Sequence, residues 1–201
     1  MGLLDGLRAV LGLRAERDAK RDADPDDLFG MSTAYITMEA ELGYEAMAEG
    51  ALCFSGVDSH QFREAVDEVE AILEAGREET GTDFTVTEDD HGYHWVVLED
   101  DDPEDLITSM HFAADTFVEH GYGSRLLAAV FGYRNEDGPA YWIYSFRRGA
   151  FYPFVPRPGR ERDSSTEFTL EATLDGELEI ERDKEYWYPL WPSEGGTRPW
   201  E

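Results

Sequence analysis

The chain has 201 residues, 41% of them hydrophobic and 13% aromatic, and its 17 Lys+Arg stand against 45 Asp+Glu for a formal net charge of -28. That apolar content at the length of one ordinary domain excludes wholesale disorder. A charge so negative excludes nonspecific binding of nucleic acid or anionic lipid by the body of the protein, because the phosphate field is repulsive.

Only Lys20 and Lys184 are lysines, and the acids run through the whole chain rather than forming a tail. This is the pattern of a cytoplasmic protein working in molar salt, where charges are screened within about 3 Å. The single cysteine, Cys53, sits in the apolar run Ala51–Phe54. It excludes an internal disulfide and reads as a core residue. No stretch approaches the roughly 18 apolar residues of a spanning helix, and the N-terminus has neither a signal-peptide run nor a myristoylation pattern.

Residues 2–13 place Leu3, Leu4, Leu7, Val10 and Leu11 in one stripe at helical spacing. So short a helix, with three glycines, needs a surface to lie on: its own domain, a partner or a bilayer interface. Residues 14–27 are charged and end in Asp24-Pro25-Asp26-Asp27, so 1–27 reads as an amphipathic helix and tether, 28–192 as one domain and 193–201 as a tail.

The body begins near Leu28. Ala34, Ile36 and Met38 alternate with polar residues and predict a strand over Met31–Glu39, followed by a second at Ala51–Val57. Asp58 with Gln61 resembles a capping box, and Phe62, Val66, Val69, Ile72 and Leu73 predict a helix face ending at Gly76. Strands at Phe84–Glu88 and Tyr93–Leu98 flank a turn. Pro103 then opens a helix whose stripe runs from Leu106 to Val118 and stops at Gly121. Two more strands, Leu126–Arg134 and Ala140–Arg148, follow. Phe168, Leu170 and Ala172 share parity with Leu178 and Ile180 across Leu174-Asp175-Gly176, which predicts a hairpin with Glu171 facing Glu179. The expected architecture is α+β: a two-layer sandwich with helices on one face of a mostly antiparallel sheet, ordered ββ-α-ββ-α-ββ-ββ.

No arrangement nominates a catalytic or cofactor site. His91 and His94 straddle a turn and a strand with no third ligand at a diagnostic spacing, Ser124 and Ser145 lack a nucleophile elbow, and no glycine-rich loop opens a helix. The distinctive stretch is 141–162, which carries five basic residues and one acidic one. It sets Phe151, Tyr152 and Phe154 beside Arg147, Arg148, Arg157, Arg160 and Arg162, with prolines holding 152–158 extended. Arginine and aromatics are interface residues, and this segment is the expected docking surface for an acidic partner. The opposing reading is that the arginines pair with the chain's own carboxylates while the aromatics fill the core.

The chain resembles the PspA-associated protein PspAB family. The resemblance rests on the opening Met-Gly-Leu-Leu-Asp, Gly50-Ala51-Leu52-Cys53-Phe54, Gly92-Tyr93-His94-Trp95, Phe131-Gly132-Tyr133-Arg134, the run Arg148-Gly149-Ala150-Phe151-Tyr152-Pro153-Phe154, Glu179–Asp183 and Trp187-Tyr188-Pro189-Leu190-Trp191. The acid-rich, lysine-poor version is what a haloarchaeal member should look like. The resemblance implies a non-enzymatic accessory role in a phage-shock-type envelope stress response. The implied partners are PspA, a coiled-coil protein at the inner face of the membrane, or an HtpX-type membrane protease. The competing readings are a metal-dependent hydrolase using His91 and His94, and a chaperone-like module holding an unfolded segment.

Overall fold

The computed structural model describes residues 22–89, 91–192 and 196–201. The stripe Leu3, Leu4, Leu7, Val10 and Leu11 lies outside them. The chain enters through a 3-10 turn, Pro25–Gly30, capped by the Asp24 carboxylate, and passes directly into helix α1, Met31–Leu42. A strand was expected here. Ala34 and Met38 satisfy alternation and helical spacing alike, but the buried set is Met31, Ala34 and Met38, while Ile36 is 53% exposed. Gly43 at φ 64 ends the helix, its N–H on the Glu39 carbonyl and that of Tyr44 on Met38.

Strand β1, Glu45–Ser55, is longer than expected and lies inside the sheet. Helix α2, His60–Thr80, is capped by Ser59 accepting from the Phe62 N–H at 3.1 Å, rather than by Asp58, which pairs with Arg63. It runs through Gly76 to Gly81 at φ 83. A mid-helix glycine costs only about 1 kcal/mol relative to alanine, too little to end a helix held by Phe62, Ala65, Val69 and Leu73. Strands β2, Asp83–Glu88, and β3, Tyr93–Glu99, follow as predicted. Helix α3, Pro103–Glu119, carries the expected proline at its start and an Asp102 cap.

Strands β4, Leu126–Asn135, β5, Gly138–Ser145, and β6, Ala150–Phe154, complete an antiparallel sheet in the order β2-β3-β1-β4-β5-β6. After a small hairpin of β7, Pro156–Arg157, and β8, Glu161–Arg162, comes helix α4, Ser164–Leu174. The hairpin predicted from Phe168 to Ile180 is therefore corrected to a helix followed by an extended return. Glu167, Leu170 and Leu174 are buried at helical spacing while Phe168 is 52% exposed, and Glu171 pairs with Lys184 instead of facing Glu179. Gly176 does adopt positive φ, as the turn requires.

The α+β class and the antiparallel sheet hold, with the order α-β-α-ββ-α-βββ-ββ-α. Helices α1, α2 and α3 cover one face. Trp142 donates its indole N–H to the Met38 sulfur at 3.4 Å, and Phe54 meets Phe117 and Phe62 at ring separations of 4.6 and 6.1 Å. Across β4–β6 the opposite face is covered by the C-terminal segment, through Trp187 on Tyr152, Trp191 on Phe154 and Trp200 on Tyr141. Residues 196–201 thus fold back onto the body, and Arg198 pairs with Glu49.

Glu64, Asp67, Glu68, Glu70, Glu74, Glu78 and Glu79 are all exposed on α2. Like charges three or four residues apart cost about 0.2–0.5 kcal/mol per pair in dilute buffer. Raising KCl into the molar range should raise Tm by on the order of 5 °C through screening of such pairs, and a thermal melt in a KCl series reads it. Neutralising Glu68 and Glu74 as Gln should flatten that dependence.

Candidate functional site

The residues expected to form a docking surface are brought together, but most of them are engaged inside the fold. Phe151, Tyr152 and Phe154 are buried core residues of β6. Burial pushes the Tyr152 phenol well above its ordinary range. A strand packed on both faces, by helices on one side and Trp187 and Trp191 on the other, leaves none of the three substantially exposed. Their burial is what the opposing reading expects of aromatics that fill the core.

The arginines divide in the same way. The Arg148 guanidinium, 7% exposed, donates through Nε to Glu181 Oε2 at 2.7 Å and lies 3.6 Å over the Tyr186 ring. Glu181 is itself 2% exposed, so this is a buried ion pair. Arg162 Nε donates to Glu167 Oε1 at 2.9 Å, its two other nitrogens reach the Trp187 and Pro153 carbonyls, and the same Glu167 oxygen accepts from the Val155 N–H. Arg157 grips Asp163 Oδ2 with Nε and Nη2 at 3.1 and 2.6 Å and donates to the Asp137 carbonyl. Arg147 is half-buried and donates to the Ser124 carbonyl at 3.0 Å. Arg148, Arg157 and Arg162 are therefore clamps, in line with the opposing reading. Each fastens the β5–β8 region to a carboxylate further along the chain.

Arg160 is different. It is exposed, it holds the one positive φ of a non-glycine residue among those described, at 59°, and its longest reach is a 3.5 Å approach to the Pro192 carbonyl. It stands on the rim of a groove of about 620 Å³ whose walls are Tyr141, Phe154, Pro156, Pro158, Leu190, Trp191, Pro192 and Pro199. Burial raises the Tyr141 phenol above its ordinary range. Rings and prolines make a surface with little entropy to lose on contact, which suits an extended peptide whose backbone is already set. Half of that wall comes from Leu190, Trp191, Pro192 and Pro199, which the sequence pattern did not single out. Their signal was the ring and proline density of Trp187-Tyr188-Pro189-Leu190-Trp191-Pro192.

His94 stacks on Phe54 with ring centroids 5.4 Å apart, over Gly56, where a Cβ would stand 2.3 Å from its Nε2. His91 lies exposed in the turn built on Asp89, whose carboxylate accepts from the His91 and Tyr93 N–H groups and the Trp95 indole. Among the described residues no group of three or more His, Cys, Asp or Glu is placed to hold a metal ion, and no helix is long and apolar enough to cross a membrane.

The family model for PspA associated protein B, PspAB, matches residues 1–200. No curated protein and no solved structure matches the chain.

Removing one partner of a buried pair strands the other charge, at a cost of about 3–5 kcal/mol. Arg148→Ala should therefore lower urea stability by that amount, and Arg148→Met with Glu181→Leu should recover most of it. The exposed Arg160→Ala should change it by less than about 0.5 kcal/mol. The Asp163 carboxyl is held below its ordinary value first by the Thr166 N–H at the α4 cap and then by Arg157. A depressed folded value means that its stabilisation is whole above the ordinary value of 3.8 and drains as pH falls below it. Asp163→Asn should remove that part of the acid limb in pH-dependent melts.

Proposed function

Because this chain belongs to the PspA-associated protein B family, we propose that it is a non-enzymatic accessory protein that binds PspA and holds an extended segment of it in the groove beside Arg160. The observation that carries the accessory role is the family match over residues 1–200. The groove supports the mode of contact. An apolar segment with prolines or rings fits its walls, and one carboxylate on that segment meets the Arg160 guanidinium. In a chain of net charge -28 an exposed arginine is a short-range anchor for such a carboxylate, and it steers the encounter only as salt is lowered. The acid-rich, lysine-poor composition supports work in a salt-rich medium, and the family name is what supports a place beside PspA in an envelope stress response.

The test is affinity purification of the tagged full-length protein with molar KCl kept throughout. PspA should be retained near stoichiometry. Trp191→Ala should weaken retention about tenfold, equivalent to about 1.4 kcal/mol. Arg160→Glu should weaken it less in molar KCl and more as KCl is lowered, since screening acts on the charge and not on the wall. PspA retained equally by all three proteins would sink the groove. An HtpX-type protease recovered in place of PspA would move the partner.

A further inference from the structure

Among the described residues, Phe29 and Phe112 are two of the four large apolar side chains left substantially in solvent, 42% and 48% exposed. They are neighbours. The Phe29 ring lies 4.6 Å from the His111 ring, and His111 meets Phe112 edge-on at 5.7 Å, so three rings run in a row across the turn Pro25–Gly30 and the outer side of α3. Single exposed aromatics are ordinary, whereas adjacent ones form a patch that a covering surface would stabilise.

Residues 1–21 precede the patch, and the described chain starts beside the end of α3, where Ala23 lies against Gly123 and the Asp24 carbonyl accepts from the Tyr144 hydroxyl. Phe112 is seven residues, or about 10 Å, back along the helix from Glu119. Eight residues, 14–21, reach up to about 26 Å when extended, enough to carry 2–13 over it.

Charge points the same way. Residues 1–21 hold Arg8, Arg14, Arg17, Lys20 and Arg21 against Asp5, Glu16 and Asp18, net +2, which leaves net -30 for the other 180 residues. Asp115 and Glu119 stand beyond Phe112 on the helix, Asp115 partly and Glu119 fully exposed, and Asp26 lies 2.9 Å from His111 Nε2. In molar salt this attraction acts only between groups in near contact, so it adds to a docking that the rings and the stripe carry, while the tether keeps the local concentration of the segment near the millimolar range.

We propose that the Phe29–His111–Phe112 patch is the docking surface for the chain's own residues 2–13, with Leu3, Leu4, Leu7, Val10 and Leu11 laid on the rings and the basic residues of 14–21 passing over the acids beside them. Docking stores the apolar stripe on the body until a partner or bilayer competes for it. This stands apart from the groove beside Arg160 and does not depend on what binds there.

The test is a trypsin time course on the full-length chain in molar KCl, following cleavage after Arg14, Arg17, Lys20 and Arg21. Cleavage of a docked segment tracks how often it opens. The wild type should be cut slowly there, and Phe29→Ser with Phe112→Ser should be cut roughly tenfold faster. Leu7→Glu with Leu11→Glu, which leaves the body untouched, should show the same rise at unchanged Tm. Equal rates in all three proteins would overturn the proposal. So would a dimer, measured by sedimentation, that Phe112→Ser dissolves without changing the cleavage rate, since the patch would then belong to a second copy.

Discussion

The buried pair of Arg148 with Glu181 is the contact on which the C-terminal third depends. It ties the turn after β5 to the extended return that pairs with β6, where the Phe151 N–H donates to the Glu179 carbonyl and the Glu181 N–H donates back to the Phe151 carbonyl. Taking two charges out of water costs several kcal/mol per ion unless geometry and further bonds offset it. Here Nε meets the carboxylate at 2.7 Å, the Tyr186 ring covers the guanidinium, and the other carboxylate oxygen accepts from the Asp183 N–H. With this clamp closed, the β6 edge is paired rather than open to another chain, and Trp187 can donate its indole N–H to the Glu181 carbonyl. Without it the second face of the sheet would lose its cover.

The clamp also decides which basic side chains reach the surface. Because Arg148, Arg157 and Arg162 are each satisfied by an internal carboxylate, the basic character of residues 141–162 is mostly cancelled inside the fold. The remaining rim charge, Arg160, sits on a tight turn beside Gly159, which is also at positive φ. Its groove is a by-product of packing: β5 and β6 supply one wall, and Leu190, Trp191, Pro192 and Pro199 supply the other.

Much of this architecture was legible in the sequence, and the failures have identifiable causes. Helix α3 announced itself through Pro103, its acidic first turn and a long apolar stripe; β2 to β5 did so through alternation and turns. Met31–Leu42 misled because positions four apart are also two apart twice over, so Ala34 and Met38 fit both periods and only the exposure of Ile36 separates them. Phe168, Leu170 and Ala172 misled in the same way, and the deciding residue was Glu167, an acid that no hydrophobic pattern marks as core. Its burial is intelligible only with Arg162 and the Val155 N–H in place. Partner identity of this kind is not a local property: Arg148 and Glu181 are 33 residues apart. Sequence shows that arginine and carboxylate are both abundant; the fold alone shows which of them meet.

The division of charge between surface and interior has a consequence for how salt acts on the molecule. Repulsion among the acids of α2 and α3 lies in solvent and is screened within a few ångströms in molar salt. The Arg148–Glu181 and Arg162–Glu167 contacts are shielded by Trp187, Tyr186 and the strand beneath them, so ions reach them poorly. High salt therefore removes most of the charge repulsion that opposes folding while leaving the clamps largely intact. The same separation holds the groove beside Arg160 in shape across that range, because its walls are rings and prolines fastened by the protected pairs. Charge on this protein thus does two separable jobs. The exposed acids make its stability depend on the ionic medium, and the few arginines drawn inside make the geometry of the groove beside Arg160 independent of it.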